Sequence, residues 1–270
     1  MNSDTRTTPK WLLLLRDSRT QGRITDSWLK SVLEDPDASY RENRGQLEGL
    51  CTRILEPLSD AMGPPPWSVG SLDFRDTVKA VSVAGGRLAE TNTPVSFISL
   101  FFHHMERALT GQLDFPYKKE LSHLMACLAG SATEAYHLTS KQREAEAYQE
   151  FLRKSTPLVF IREDIPVLFL LGTPEQSVLI ELLDRLYVSA IQRNVGHLLV
   201  DFTGVSTSGA SILQLGKGIL DLASRSQMET RTVHIVSAGR EIDIALKKEG
   251  IDDVRFPRHD ELENCLENIS

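Results

Sequence analysis

The chain has 270 residues, of which 41% are hydrophobic and 25% are charged, a composition typical of a globular protein with one or two domains. Its formal net charge of −7 disfavours nucleic acid as the main partner. No apolar run approaches the roughly 20 residues that a membrane-spanning helix needs, and the N-terminus is too charged for a secretory signal. We therefore expect a cytoplasmic protein with no membrane partner.

Three cysteines, Cys51, Cys127 and Cys265, are far apart in the sequence and odd in number. They contain no Cys-x-x-Cys spacing, so the sequence indicates neither a zinc site nor a disulfide framework. We expect inert thiols in a reducing compartment, no bound metal and no cofactor.

The N-terminal half shows apolar residues at helical spacing almost throughout. The spacing predicts helices over 11–17, 24–35, 40–62, 72–89 and 95–113. The Gly85-Gly86 pair inside one of them indicates close approach of another helix, or a bend. The helix from Val95 is the most apolar of these and is the predicted centre of this half. A set of four aromatic residues is interpreted as core rather than as a cofactor pocket: Trp28, Phe97, Phe101 and Phe102.

The helical pattern then runs almost unbroken from Pro116 to about Lys154. Such a helix is far longer than the mean of about 11–12 residues, which favours a coiled coil or a connector between domains. We interpret it as a connector helix that pairs with its copy in a homodimer. The alternating charges from Lys141 to Glu150 are interpreted as a solvated helix face.

From Ser155 onward, short strands alternate with helices. The pattern predicts strands over 158–161, 166–171, 197–202, 230–236 and 254–256, with helices after Gly172, after Ser208, over 240–249 and over 259–267. The order β-β-α-β-α-β-α-β-α predicts a mostly parallel or mixed sheet with helical layers. We therefore predict an all-α domain over 1–154 and an α/β domain over 155–270.

The most informative stretch is LLVDFTGVSTSGASILQLGKGILDL, from Leu198 to Leu222. It is interpreted as a buried strand, a turn over Thr203–Gly209 and a helix. In open α/β sheets such a turn commonly binds ligands and charged groups, because free backbone N–H groups and the helix dipole face outward there. Asp201, Thr203 and Gly204 are predicted to stabilise the turn, the first two through hydrogen bonds between side chain and backbone.

The same stretch resembles the corresponding part of a STAS domain, the fold of anti-sigma-factor antagonists. The DFTGV sequence, preceded by IPVLFLLGTPEQS, is most similar to the C-terminal STAS domain of RsbR-type proteins of the bacterial stressosome. ITDSWL, SFISLFFHHMERAL and the long terminal helix resemble the helical N-terminal sensor half of that family. The resemblance is strong over Ile165–Gly250. In the rest of the chain it is limited to the order of the predicted secondary-structure elements.

The resemblance implies a non-enzymatic signalling scaffold of a stressosome-type complex. Such a protein assembles with paralogous STAS proteins, binds and sequesters a serine/threonine switch kinase, and regulates a general stress response through a sigma factor. It is a homodimer through its N-terminal half and joins larger assemblies through the STAS domain.

The resemblance also implies phosphorylation at the start of the second long helix and in the next helix. Carried over to this sequence, the two acceptor positions fall on Ala210 and Ala245, and neither residue accepts phosphate. Thr207, Ser208 and Ser211 lie within one turn of the first position and are the candidate phosphoacceptor or kinase-docking residues. In the alternative interpretation, Ser208 caps the helix and the others are turn residues.

Three other functions remain as alternatives to this one. No GxSxG, Walker A or HExxH motif stands in a supporting context, so we expect no enzyme. A simple anti-sigma-factor antagonist would bind its kinase one to one. A haem or small-molecule sensor is suggested because the sensor half of the family resembles a globin fold. Four histidines lie on its predicted helices: His103, His104, His123 and His137. His103 and His104 are adjacent, so they point to different helix faces.

Overall fold

The computed structural model describes residues 8–35, 44–161, 165–206, 209–228, 231–248 and 256–269. The chain divides into two compact units, Met1–Glu144 and Ala145–Ser270. This division lies inside the long helix and before the predicted boundary at 154, because the last turns of that helix contact the second unit. Among the described residues, none of the helices has both the length and the apolar character needed to cross a membrane.

The described part of the first unit is helical. It contains α1 (Lys10–Arg16), α2 (Ser18–Glu34), α3 (Arg44–Ala61), a 3-10 helix (Leu72–Phe74), α4 (Arg75–Glu90), α5 (Ser96–Gln112) and the start of α6 (Lys118–Ser155). The predicted aromatic set is buried in one apolar core. The Trp28 indole N–H donates to the carbonyl of Phe101 at 2.8 Å, so the ring satisfies its polar atom inside that core.

The helix α6 is 38 residues long, close to the predicted length. Its first half packs in the core of the first unit through Leu121, Leu128 and Ala132. Gly85 of α4 lies against the backbone of Ala132, where an added Cβ would overlap the carbonyl group. The predicted close approach of a second helix at Gly85 is therefore confirmed.

The second unit is a mixed five-stranded sheet with helices, in the predicted chain order. Its strands are β1 (Leu158–Ile161), β2 (Ile165–Gly172), β3 (His197–Val205), β4 (Thr232–Val236) and β5 (Arg258–His259), lying side by side in that order. The helices are α7 (Gln176–Arg193), α8 (Gly209–Met228), α9 (Arg240–Lys248) and α10 (Leu262–Asn268). The pair β1–β2 is antiparallel and the other three pairs are parallel.

Alternate residues of each strand build two separate cores. On one face, which we call the α7–α9 face, Leu198 and Val200 pack with apolar residues of α7, α8 and α9. On the opposite face, which we call the α10 face, Leu199 and Val236 pack with Cys265 of α10. The sheet is therefore the middle layer of this unit.

Two predicted strands differ from the structure. β3 continues to Val205 instead of ending at Phe202, because Gly204 and Val205 pair with Leu171 and Gly172 of β2. The last described strand is Arg258–His259, which pairs with β4, and Phe256, the one described residue of the predicted strand 254–256, is buried in the core of the α7–α9 face outside any strand. Residues 254 and 255 lie outside the described part of the chain.

Candidate functional site

The carboxyl ends of β2 and β3 bring two loops together at one edge of the sheet. Gly172 and Val205, the last residues of these strands, are paired. The backbone N–H of Ser206 then donates to the carbonyl of Gly172 at 3.0 Å. The β3–α8 turn therefore starts directly beside the β2–α7 turn, and Ser206 itself is exposed.

Asp201 stabilises the end of β3. Its carboxylate accepts hydrogen bonds from the backbone N–H of Thr203 at 2.7 Å and from the Thr203 hydroxyl at 2.6 Å. The predicted bond between side chain and backbone is present, but both residues lie in the strand and the turn begins at Ser206. Asp201 is only 4% exposed, so its polar atoms depend on these partners.

Gly204 lies where the pairing of β2 and β3 shifts register. A Cβ at this position would be 2.8 Å from the carbonyl oxygen of Leu170 and 2.8 Å from Cδ2 of Leu171. The close approach of the β2 backbone therefore requires glycine here.

The candidate phosphoacceptors are only partly within the described chain. Thr207 and Ser208 lie outside it. Ala210 and Ser211 belong to the first turn of α8, and Ala245 lies in α9. Because the first backbone N–H groups of a helix have no partner within the helix, the start of α8, three positions after Ser206 in the sequence, presents donors.

The end of α6 holds the β2–α7 turn, a contact that the sequence did not reveal. The Gln149 side chain accepts from the backbone N–H of Glu175 at 2.8 Å and donates to the carbonyl of Thr173 at 3.2 Å. The Tyr148 hydroxyl accepts from the backbone N–H of Thr173 at 3.3 Å. The interpretation of Lys141–Glu150 as a solvated face is therefore incomplete, because Tyr148 and Gln149 are contact residues.

Gly172 permits this contact. Its φ is +57°, a left-handed conformation that favours glycine. An added Cβ would also overlap the Tyr148 hydroxyl. Further along α6, Arg153 forms an ion pair with Glu181 of α7 at 2.9 Å. The last turns of α6 are thus fastened both to the turn and to the helix after it.

A row of three histidines crosses the α10 face of the sheet. Nδ1 of His197 lies 3.0 Å from Nε2 of His234, and Nδ1 of His234 lies 3.2 Å from Nε2 of His259. Burial, together with its two histidine neighbours, lowers the pKa of His234 to about 4. Burial also lowers the pKa of His259 and raises the pKa of the nearby Cys265 thiol to about 11. His234, His259 and Cys265 are thus kept in their uncharged forms more readily than in water.

The histidines of the first unit do not gather in one place. His104 is buried, and its Nε2 lies 2.8 Å from the carboxylate of Asp35. His103, His123 and His137 are exposed. The adjacent residues His103 and His104 therefore face different environments, as predicted, and the buried one already has a carboxylate partner.

No family model matches this chain, and no curated protein matches it. Its function therefore has to be inferred from the sequence resemblance and from the site's own geometry.

Proposed function

We propose that this chain is a non-enzymatic signalling scaffold of the RsbR type, acting in a cytoplasmic stressosome-type complex. Its helical half would sense a stress signal, and its STAS half would bind and sequester a serine/threonine switch kinase that controls a sigma-factor response. The observation that carries the proposal is the strand and helix order of the mixed sheet, with the DFTGV sequence at the carboxyl end of the central strand β3.

The β3–α8 turn is the proposed docking site for the kinase. The exposed Ser206 and the first turn of α8 present hydroxyl and backbone N–H groups together. Phosphate on Thr207, Ser208 or Ser211 would add about −1.5 to −2 charge to this surface. The alanines at 210 and 245 would leave the two family acceptor positions permanently unmodified.

A contiguous set of hydrogen bonds supports a route from α6 to this turn. Gln149 contacts Thr173 and Glu175. Gly172, at the start of the same loop, accepts the hydrogen bond from Ser206. A rotation of the end of α6 would therefore move the β2–α7 turn and, through Gly172, the start of the docking site. Such a switch needs two discrete states that the signal populates differently.

The first experiment is the mass of the purified full-length protein by light scattering, alone and then mixed with purified paralogous STAS proteins. We expect a particle in the megadalton range in the mixture, whether or not the protein forms one alone. A dimer that never grows in either sample would contradict the scaffold and favour the simple one-to-one antagonist.

The second experiment measures binding of the purified switch kinase to Ser206→Asp and to Gln192→Asp. Both changes add one negative charge at an exposed position, but Gln192 lies near the end of α7, before β3 begins. We expect about tenfold weaker binding, or about 1.4 kcal/mol, for Ser206→Asp only. Equal affinities for the two variants would place the docking site elsewhere.

The route through α6 is tested with Gln149→Ala and, as control, Lys141→Ala on the exposed side of the same helix. We expect Gln149→Ala alone to change how stress alters kinase release in cells. An unchanged response in both variants would contradict the coupling while leaving the docking proposal intact.

A further inference from the structure

We propose that His234, His259 and Cys265 form a binding site for a transition-metal ion of the zinc class. One ligand atom from each residue lies within 4.8 Å of the other two. The three residues come from β4, β5 and α10, so the site would join two neighbouring strands of the sheet to the helix that covers them.

The register of the sheet places these residues together. His259 is paired with Val236, two positions after His234, so both histidines lie on the α10 face. Cys265 of α10 is buried on that same face, in contact with the core that contains Leu199 and Val236. The side chains therefore converge because of the fold, although 25 residues separate the two histidines.

The distances suit a tetrahedral ion. Nδ1 of His234 and Nε2 of His259 are 3.2 Å apart. Two nitrogens bound to Zn²⁺ at 2.0–2.1 Å lie about 3.3 Å from each other, and a bound thiolate lies about 3.6 Å from either nitrogen. The nitrogens are thus already at ligand spacing, and the Cys265 sulfur has to approach each of them by about 1.2 Å at most.

His197 is suited to orient one of the ligands. Its Nδ1 lies 3.0 Å from Nε2 of His234, the ring nitrogen that does not face His259. When Nδ1 of His234 binds the metal, its Nε2–H donates to His197. Metal-bound histidines almost always donate their second N–H in this way, and the partner fixes the tautomer and the ring orientation.

The donor set selects the class of metal. Two imidazole nitrogens and one thiolate sulfur suit Zn²⁺, Co²⁺ or copper, whereas Mg²⁺ and Ca²⁺ prefer oxygen ligands. On binding, the Cys265 thiol releases its proton to solvent as the sulfur–metal bond forms. His234 is buried, but His259 is only partly buried, which leaves a path for the ion.

The position of the site indicates what the metal would do. β5 has two residues and α10 has seven, so short elements form this end of the described chain. A metal bound to all three residues would fasten β5 and α10 to β4. We therefore infer a structural metal that stabilises the α10 face.

The test uses the full-length protein, freed of metal by a chelator and then titrated with Co²⁺ and Zn²⁺. We expect one ion per chain and a thiolate-to-cobalt charge-transfer band, which requires a cysteine ligand. Cys265→Ser should abolish the band and weaken Zn²⁺ binding at least 100-fold. His197→Gln should weaken it about 10- to 100-fold.

Cys127→Ser is the matched control, because Cys127 belongs to the first unit, where its sulfur lies 3.8 Å from Nε2 of His123 on α6. It should bind both metals like the unmodified protein. X-ray absorption of the Zn²⁺-loaded unmodified protein gives a measurement independent of any variant, and we expect two histidine nitrogens and one sulfur among the ligands of the ion. Binding that persists in Cys265→Ser, an absorption spectrum without sulfur, or no stoichiometric binding would leave only a hydrogen-bonded histidine row and overturn the proposal.

Discussion

The two faces of the C-terminal sheet are built from alternate residues of the same strands, yet they bury different kinds of side chain. The α7–α9 face is covered by helices of 18, 20 and 9 residues and buries mainly leucine, valine and isoleucine. The α10 face, within the described residues, is covered by one helix of seven.

The α10 face also carries several polar groups of the sheet. His197 and Asp201 alternate with the apolar positions of β3 and lie on the same face as Leu199. Each meets a polar partner, His234 for the first and Thr203 for the second. This difference indicates that the buried apolar area of the α7–α9 face provides most of the stability of the sheet. The α10 face, which a short helix covers, can hold polar groups because these groups form hydrogen bonds with each other.

The largest expected effect comes from two neighbouring leucines of β3. Leu198 and Leu199 are both fully buried, one on each face. We expect Leu198→Ala to lower the free energy of unfolding by about 4–5 kcal/mol and Leu199→Ala by about 2–3 kcal/mol, because the thin cover of the α10 face can collapse into the cavity. Urea denaturation measures both, and equal losses would contradict the proposed difference between the faces.

Acid is expected to weaken the α10 face. The pKa of His234 is lowered to about 4 in the folded protein from an unperturbed value of 6.5. Between these values the unfolded chain binds a proton that the folded chain does not, so stability is complete above pH 6.5 and decreases as the pH falls towards 4. We expect a loss of about 2 kcal/mol, allowing for solvent screening.

Urea denaturation of the chelator-treated protein at several pH values measures this loss. The control is His234→Gln, which should show a smaller dependence on pH over the same range. Parallel curves for the two proteins would mean that His234 is not the group responsible.

A smaller effect is expected at the end of β3. Asp201→Ala removes the acceptor of two hydrogen bonds from Thr203. We expect the free energy of unfolding to fall by about 1–2 kcal/mol, whereas Asp201→Asn, which keeps one acceptor oxygen, should lose less. Thermal denaturation compares the three proteins, and identical midpoints would show that Asp201 does not stabilise this strand end.

The smallest expected effect is kinetic and uses the three thiols. Burial raises the pKa of both Cys51 and Cys265, and both side chains are fully buried, whereas Cys127 is half-buried. Iodoacetamide should label Cys127 first, because the thiolate is the reactive form. Cys265 should follow before Cys51, because α10 is short and opens more readily than a large core.

Peptide mapping by mass spectrometry at successive times gives the three rates in chelator-treated protein. Labelling of Cys51 as fast as Cys265 would indicate that the α10 face opens no more easily than the helical core.

The sequence by itself determined most of the local structure. Apolar spacing of about 3.6 residues located α2, α5 and α6, and short apolar runs located β1, β2 and β4. The order of strands and helices followed from these apolar patterns, because each pattern depends only on residues that are neighbours in the sequence. Asp201 and Thr203 were identified because their hydrogen bonds span only two positions.

Features that depend on residues distant in the sequence are visible only in the tertiary structure. β3 ends at Val205 because β2 continues beside it, and β5 forms at Arg258–His259 because β4 offers its edge there. Gln149 contacts Glu175, 26 positions away, although the alternating charges around Gln149 predict a solvated helix face. The histidine row has no spacing motif, because the sheet register, and not the distance along the chain, brings His234 and His259 together with Cys265.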